Sequence, residues 1–208
     1  MLKKVCYFID YYPDLAVFIS VLITSLLQAV IGNSIDVLVF AIFMMLISFA
    51  VTLPVNIIVK NMLRTKRPKN YYDHYGCVKN VFEGSFPSFH AQFAFSVATS
   101  YIVAIYFTSP ESIRLLATIL AILTSGVTAL IVAWSRACLG VHYPVDIVGG
   151  IIIGFVTGFA TAYTLVSLLK NTPMIYQIIG CMIFFASIYL LSRKARIKRA
   201  SAVYINPE

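Results

Sequence analysis

Three short stretches of this 208-residue chain hold the side chains whose types and spacing could do chemistry. The first is Lys60, six intervening residues, then Arg67-Pro68. The second is Pro87-Ser88-Phe89-His90. The third is Ser135-Arg136, five residues, His142, three more, then Asp146. Cations, hydroxyls and helix N-termini together suit a phosphate. Two imidazoles and a carboxylate suit nucleophilic and acid–base work.

Each stretch has a local logic. Pro144 suits a first helical position, so a helix should start at Tyr143 or Pro144. Asp146 then falls in the first turn, where negative charge is favoured, and its carboxylate can reach back to His142. A carboxylate on one ring nitrogen fixes the tautomer and makes the other more basic, hence a candidate nucleophile toward phosphorus. The plainer alternative is an interfacial histidine beside a helix-capping acid. Ser88 suits an N-cap, which puts His90 in a first turn beside free N–H groups, able to protonate a leaving oxygen; the alternative is a capped helix with an incidental histidine. Lys60 and Arg67 have a common alternative too, because basic residues routinely flank membrane helices.

The elements that must position these groups are apolar. The chain is 60% hydrophobic with a mean hydropathy of +0.88, which excludes an ordinary soluble domain. Runs near the ~20 residues needed to cross the hydrocarbon core extend over 15–31, 35–59, 91–107, 113–133, 145–169 and 174–191. The expected fold is therefore all-α: a polytopic membrane helix bundle of about six transmembrane helices, one membrane domain over 1–208. Residues 60–90 read as a polar catalytic loop and 192–208 as a basic C-terminal tail. Gly150 and Gly154 are spaced for close helix approach. Six spans put both termini and all three stretches on one membrane face.

Other features narrow the field. The net charge of +8 suits anionic headgroups or an anionic substrate; nucleic acid is a poor partner for a surface mostly in lipid. The four cysteines, Cys6, Cys77, Cys138 and Cys181, are scattered without zinc spacing, so no metal or other cofactor is expected. No small-residue cleavage site follows the first apolar run, so no cleaved signal peptide is expected.

In order, spacing and shared face, the stretches resemble the type-2 phosphatidic-acid phosphatase superfamily, whose motifs are Lys-x6-Arg-Pro, Pro-Ser-Gly-His and Ser-Arg-x5-His-x3-Asp. The resemblance covers about residues 50 to 165. It implies that Lys60, Arg67 and Arg136 bind the phosphate oxygens, with Ser88 and the backbone near Phe89 adding hydrogen bonds. His142 would attack phosphorus to give a phosphohistidine, His90 would protonate the leaving group, and Asp146 would orient His142. It also implies a reaction without metal. The one departure is Phe89 in place of the family's glycine. A helical first-turn position tolerates that change, whereas a positive φ would not.

The implied substrate is a membrane lipid phosphate: a polyprenyl diphosphate by preference, or phosphatidic acid, phosphatidylglycerol phosphate or a lipid A phosphate. Rivals are a non-catalytic protein binding anionic lipid, a flippase for lipid phosphates, which would want ionisable residues within its spans, and a haloperoxidase, a soluble class. With six spans, Arg114 and Lys170 lie opposite the motif face and all other basic residues lie on it, which points to a cytoplasmic site in the cell membrane. The resemblance points the other way, since many family members work on the outer face. Oligomeric state is not readable from the chain.

Overall fold

A computed structural model describes Cys6 and residues 13–32, 36–68 and 84–169. Helix α1 is Pro13–Gly32, α2 Asp36–Leu63, α3 Phe89–Thr108, α4 Glu111–Ala121, α5 Val127–Cys138 and α6 Pro144–Leu169. A π-helical turn, Ile122–Gly126, makes α4 and α5 one continuous rod. The described residues are otherwise helix and connecting segments, without a strand. Residues Met1–Ser167 form one compact unit and Leu168–Glu208 a second.

Among the described residues, four rods are long and apolar enough to cross a bilayer: Phe40–Leu63, Phe89–Thr108, Glu111–Cys138 and Pro144–Leu168, with the shorter apolar helix Leu15–Val30 also present. The all-helical membrane architecture stands as expected. The expected sixth run, 174–191, and the tail 192–208 lie outside the described residues.

The boundaries differ from expectation in an instructive way. Helix α2 does not stop at Val59. It runs through Lys60 to Leu63 and ends where Arg64 turns to φ 46°, its N–H donating to Lys60 O at 2.9 Å. That left-handed residue is a usual way to close a helix. At the other end, Phe89 and His90 belong to the first turn of α3, where the Ser88 N-cap position puts them, ahead of the apolar run that begins at Ala91. The 60–90 segment is thus helical at both margins, and Lys60 and His90 ride on rigid rods. Pro54 lies within α2.

Helix α3 is the axle of the bundle. It packs against α1, α2, α4, the π turn and α5 and against α6 through the glycines below. Many of its buried residues are small or polar, Ala91, Gln92, Ala94, Ser96, Ala98 and Ser100, beside the larger Phe93, Val97, Tyr101 and Ile105. Many other large apolar side chains face outward, as with Ile19, Ile23 and Leu26 on α1 and Ile152, Phe155 and Phe159 on α6. Such an outward apolar surface is what a bilayer permits. Apolar side chains gain little by leaving lipid tails, so close backbone packing and interhelical hydrogen bonds hold the rods together.

Two interfaces of α3 carry that principle. Toward α2, Ser48 Oγ and Ser100 Oγ are 2.6 Å apart, and Asn56 Nδ2 donates to Gln92 Oε1 at 2.7 Å. Eight residues on along α2 match eight residues back along α3, an antiparallel register that sets Thr52 opposite Ser96 and Lys60 opposite Ser88. All eight side chains are buried. Toward α6 the closest approach is made where α6 has no side chains, at Gly150, Gly154 and Gly158. A Cβ on Gly150 would stand 2.7 Å from Ser88 O, and one on Gly154 or Gly158 would collide with Gln92 O or Ser96 O. The small-residue spacing of Gly150 and Gly154 therefore serves close approach of α6 to α3.

Candidate active site

The connecting segments bring the three stretches together at the ends of α2, α3, α5 and α6. Thr65, between Lys60 and Arg67, accepts from the Ser85 N–H through its carbonyl at 2.9 Å. Its hydroxyl accepts from the Phe86 N–H at 2.8 Å. Ser88 N–H donates to Asp146 O at 3.0 Å, and Asn56 Nδ2 reaches Pro87 O at 3.3 Å. Each stretch is thus stitched to the next by backbone groups, leaving the reactive side chains free to face one another.

Pro144 begins α6, as its fixed φ favours. Asp146 sits in the first turn, its own N–H donating to Tyr143 O at 2.9 Å. Its Oδ2 accepts from the Tyr143 N–H at 2.9 Å and from the Ser85 hydroxyl at 2.5 Å. The same oxygen is 3.6 Å from His142 Nδ1. Asp146 and His142 are both buried. Ser85 Oγ lies 3.5 Å from that ring nitrogen, so the Nδ1 edge of His142 faces two oxygen acceptors.

The other edge faces a cation. Arg67 Nη1 is 3.3 Å from His142 Nε2. A guanidinium can only donate, so Nε2 is the acceptor and the ring proton belongs on Nδ1. Burial is the largest influence on the ring and pushes its pKa from 6.5 down to about 4. The Asp146 carboxylate beside it works in the opposite direction, while the charges of Arg67 and Lys60 lower it further. The ring is neutral at neutral pH with a lone pair on Nε2, the form that can attack an electrophile.

Lys60 stands in the last turn of α2 and Arg136 in the last turn of α5. Both are almost wholly buried, at 4% and 1% exposed. Burying two cations is costly unless an anion or dipoles compensate. His90, half-buried in the first turn of α3, is within electrostatic reach of Arg136, His142, Lys60 and Arg67. Lys60, Arg67, His90, Arg136, His142 and Asp146 therefore share one neighbourhood.

Ser88 corrects a detail. It occupies the N-cap position of α3 with an extended backbone, but its hydroxyl makes no capping bond; Gln92 N–H donates to its carbonyl instead, at 3.0 Å. The Ser88 hydroxyl is fully buried without a hydrogen-bond partner, an arrangement with a cost of its own. Phe89 has helical backbone, so no positive φ is required where the family has glycine. Its ring stacks on Phe93 at 5.9 Å and meets His90 edge-on at 5.7 Å.

Ser85, Thr65, Asn56 and Gln92 are contributors that no motif announces. A signal for Ser85 existed: a buried carboxylate has more acceptor capacity than one imidazole N–H can fill, and the polar segment before α3 had to supply another donor.

Comparison with known proteins agrees with this geometry. YbjG of Escherichia coli (strain K12), provisionally named an undecaprenyl-diphosphatase, is 28% identical over 110 residues, which are 53% of this chain and 50% of YbjG. The chain thus aligns with about half the length of that curated relative. No solved structure matches significantly. The profile of the PAP2 superfamily matches residues 37–170, which carry all three stretches and the helices α2 to α6 that hold them; the chain belongs to the PAP2 superfamily.

Proposed function

We propose that the chain is an integral-membrane phosphatase that hydrolyses a lipid phosphate or diphosphate through a phosphohistidine. The observation that carries this reading is the two-sided environment of His142. Its Nδ1 faces Asp146 and Ser85, and its Nε2 is turned toward Arg67. A phosphoryl group held by Lys60, Arg67, Arg136 and the unpartnered Ser88 hydroxyl would present phosphorus to Nε2. The Nε2–P bond forms as the bond from that phosphorus to the leaving oxygen breaks, and His90 gives its proton to that departing oxygen. The oxygen belongs to the lipid alcohol in a monophosphate or to the inner phosphate in a diphosphate. Water then attacks the phosphohistidine, His90 takes the water proton, and inorganic phosphate leaves with His142 neutral again. Buried cations and a helix N-terminus stabilise the charge that gathers on the phosphoryl oxygens.

Polyprenyl diphosphate is the preferred substrate class, supported by the name of the Escherichia coli relative. Reactive groups at helix ends lie where headgroups lie, and the outward aliphatic faces of the helices suit long hydrocarbon tails. Release of phosphate from prenyl and glycerolipid phosphates in detergent, with EDTA present and vanadate as inhibitor, tests the reading. His142→Ala should lower turnover at least ~100-fold, the scale of losing a catalytic group. Wild-type turnover in that variant would sink the assignment and leave a non-catalytic lipid binder. Dependence of kcat/KM on pH is a second check. Because burial holds His142 near pKa 4, activity should persist as pH falls through 6.5 and decline only toward 4, where the ring becomes protonated. The basic excess around the site argues for a cytoplasmic orientation. A cysteine at the exposed position Lys66 should escape an impermeant thiol reagent in intact cells; labelling would reverse the orientation.

A further inference from the structure

The strongest unassigned feature is the Ser85 hydroxyl. It is fully buried, sits three residues before Ser88, and lies between the two groups on which the chemistry turns. It donates to Asp146 Oδ2 at 2.5 Å and stands 3.5 Å from His142 Nδ1. With its one proton committed to the carboxylate, its lone pairs are left to face the ring N–H. The same residue's N–H is held by Thr65 O, so Ser85 also links the Lys60–Arg67 segment to the first turn of α6.

We infer that Ser85 is a positioning residue, whose hydroxyl holds the Asp146 carboxylate and the Nδ1 edge of His142 in one plane so that Nε2 points at the phosphoryl site. This rests on the reading of His142 as the nucleophile. Tyr143 N–H and Ser85 both donate to one oxygen of Asp146. That leaves the carboxylate only partly available to the imidazole, since the 3.6 Å separation is longer than a good hydrogen bond. Ser85 thus sets how strongly the acid pulls on the ring.

The consequence is specific. In Ser85→Ala the carboxylate loses its side-chain donor and is freed to bond the imidazole more tightly. That stabilises the protonated ring, so its pKa should rise. The charged and titratable groups around the ring are Lys60 from α2, Arg67 from the following segment, His90 from α3 and Asp146 from α6, with Arg136 of α5 acting on His90. All of them are retained in the variant, and only the Ser85 contribution changes.

The test is phosphate release by the full chain in detergent, wild type against Ser85→Ala and Ser85→Thr, with His142→Ala as control. Expected are a kcat about 10- to 100-fold lower in Ser85→Ala, in line with a misaligned reacting group, and an acid limb of kcat/KM shifted upward by roughly half to one pH unit. Ser85→Thr, which keeps the hydroxyl, should restore the wild-type limb. A partly unfolded Ser85→Ala would lose turnover without moving the limb, so a lower kcat with an unshifted limb overturns the inference, as does wild-type behaviour. A shifted limb that threonine fails to restore also overturns it. Activity surviving in His142→Ala would instead remove the nucleophile reading on which the inference stands.

Discussion

Helix α3 is gripped on two sides by opposite means. Toward α2 the grip is made of side chains that hydrogen-bond across the gap, Ser48 to Ser100 and Asn56 to Gln92. Toward α6 it is made of missing side chains, with Gly150, Gly154 and Gly158 laid against the carbonyls of Ser88, Gln92 and Ser96. The first grip fixes register, because a bonded pair exists at only one offset. The second fixes distance, because backbone cannot retreat as a side chain can. Distance matters more for chemistry. Helix α6 carries Asp146 in its first turn, and the Ser88 N–H to Asp146 O bond at 3.0 Å forms only if α6 lies this close to the start of α3. The glycine face should therefore be the more sensitive of the two.

The largest effect is expected from Gly154→Leu. A first side-chain carbon there collides with the Gln92 carbonyl and stands 3.0 Å from Phe95 Cβ, so α6 must move away from α3 along its whole length. Overpacking of this kind costs about 1–3 kcal/mol or more, and displacing Asp146 by even ~1 Å can cost on the order of a hundredfold in rate. Size-exclusion profiles in detergent and phosphate release should both suffer. Gly126→Ala is the contrast. Its added carbon would meet nothing nearer than 3.9 Å, so yield and turnover should remain close to wild type. Equal damage from the two substitutions would show that the comparison misjudges the glycine face.

The hydrogen-bonded face should respond more mildly, and in a way that separates stability from activity. Asn56→Leu strands Gln92 and removes the donor to Pro87 O. Leaving a buried polar group unmatched costs about 1–3 kcal/mol, and the loosened Pro87-Ser88 corner should lower kcat by roughly tenfold, a part of what full misplacement costs. The double variant Asn56→Leu/Gln92→Leu should regain most of the lost stability, since replacing both partners by apolar groups is nearly neutral. It should not regain the activity, because Pro87 O still lacks its donor. Thermal midpoints and turnover of the two singles and the double, set out as a cycle, measure this. Joint recovery of both properties would mean that Asn56 serves the bundle and not the site.

Much of this was readable in the chain, for a physical reason. Ionisable residues are expensive in lipid, so in an apolar sequence Lys60, Arg67, His90, Arg136, His142 and Asp146 stand out against their background. Pro144 announced the start of α6 because a fixed φ constrains the backbone locally. What the chain hid was pairwise. Ser48, Thr52, Asn56 and Lys60 recur every four residues, and so do Ser88, Gln92, Ser96 and Ser100; each period is visible, but not that one faces the other. Lys60 reads as the end of the second apolar run because charge resembles a boundary signal, whereas α2 continues one more turn until Arg64 closes it. Ser85 belongs to no motif, because serine is common and its meaning comes from Asp146, sixty-one positions away, whose spare acceptor capacity was the one clue.

The smallest effect is expected at Ser48, and it decides what the α2 face is for. Ser48 lies twelve residues before Lys60, about 18 Å along the helix, too far to touch a phosphoryl group. Its partner Ser100 keeps a second bond, to Val97 O at 3.0 Å, so removal of the Ser48 hydroxyl strands nothing. Interhelical hydrogen bonds in membranes average only ~0.6 kcal/mol. Ser48→Ala should therefore lower the thermal midpoint slightly and leave kcat and KM where they were. A register device permits that outcome, because Asn56 and Gln92 still hold the offset. Were turnover instead to fall as far as in Asn56→Leu, the polar face of α2 could not be acting through register alone, and hydroxyls deep in the bilayer would have to take part in the reaction.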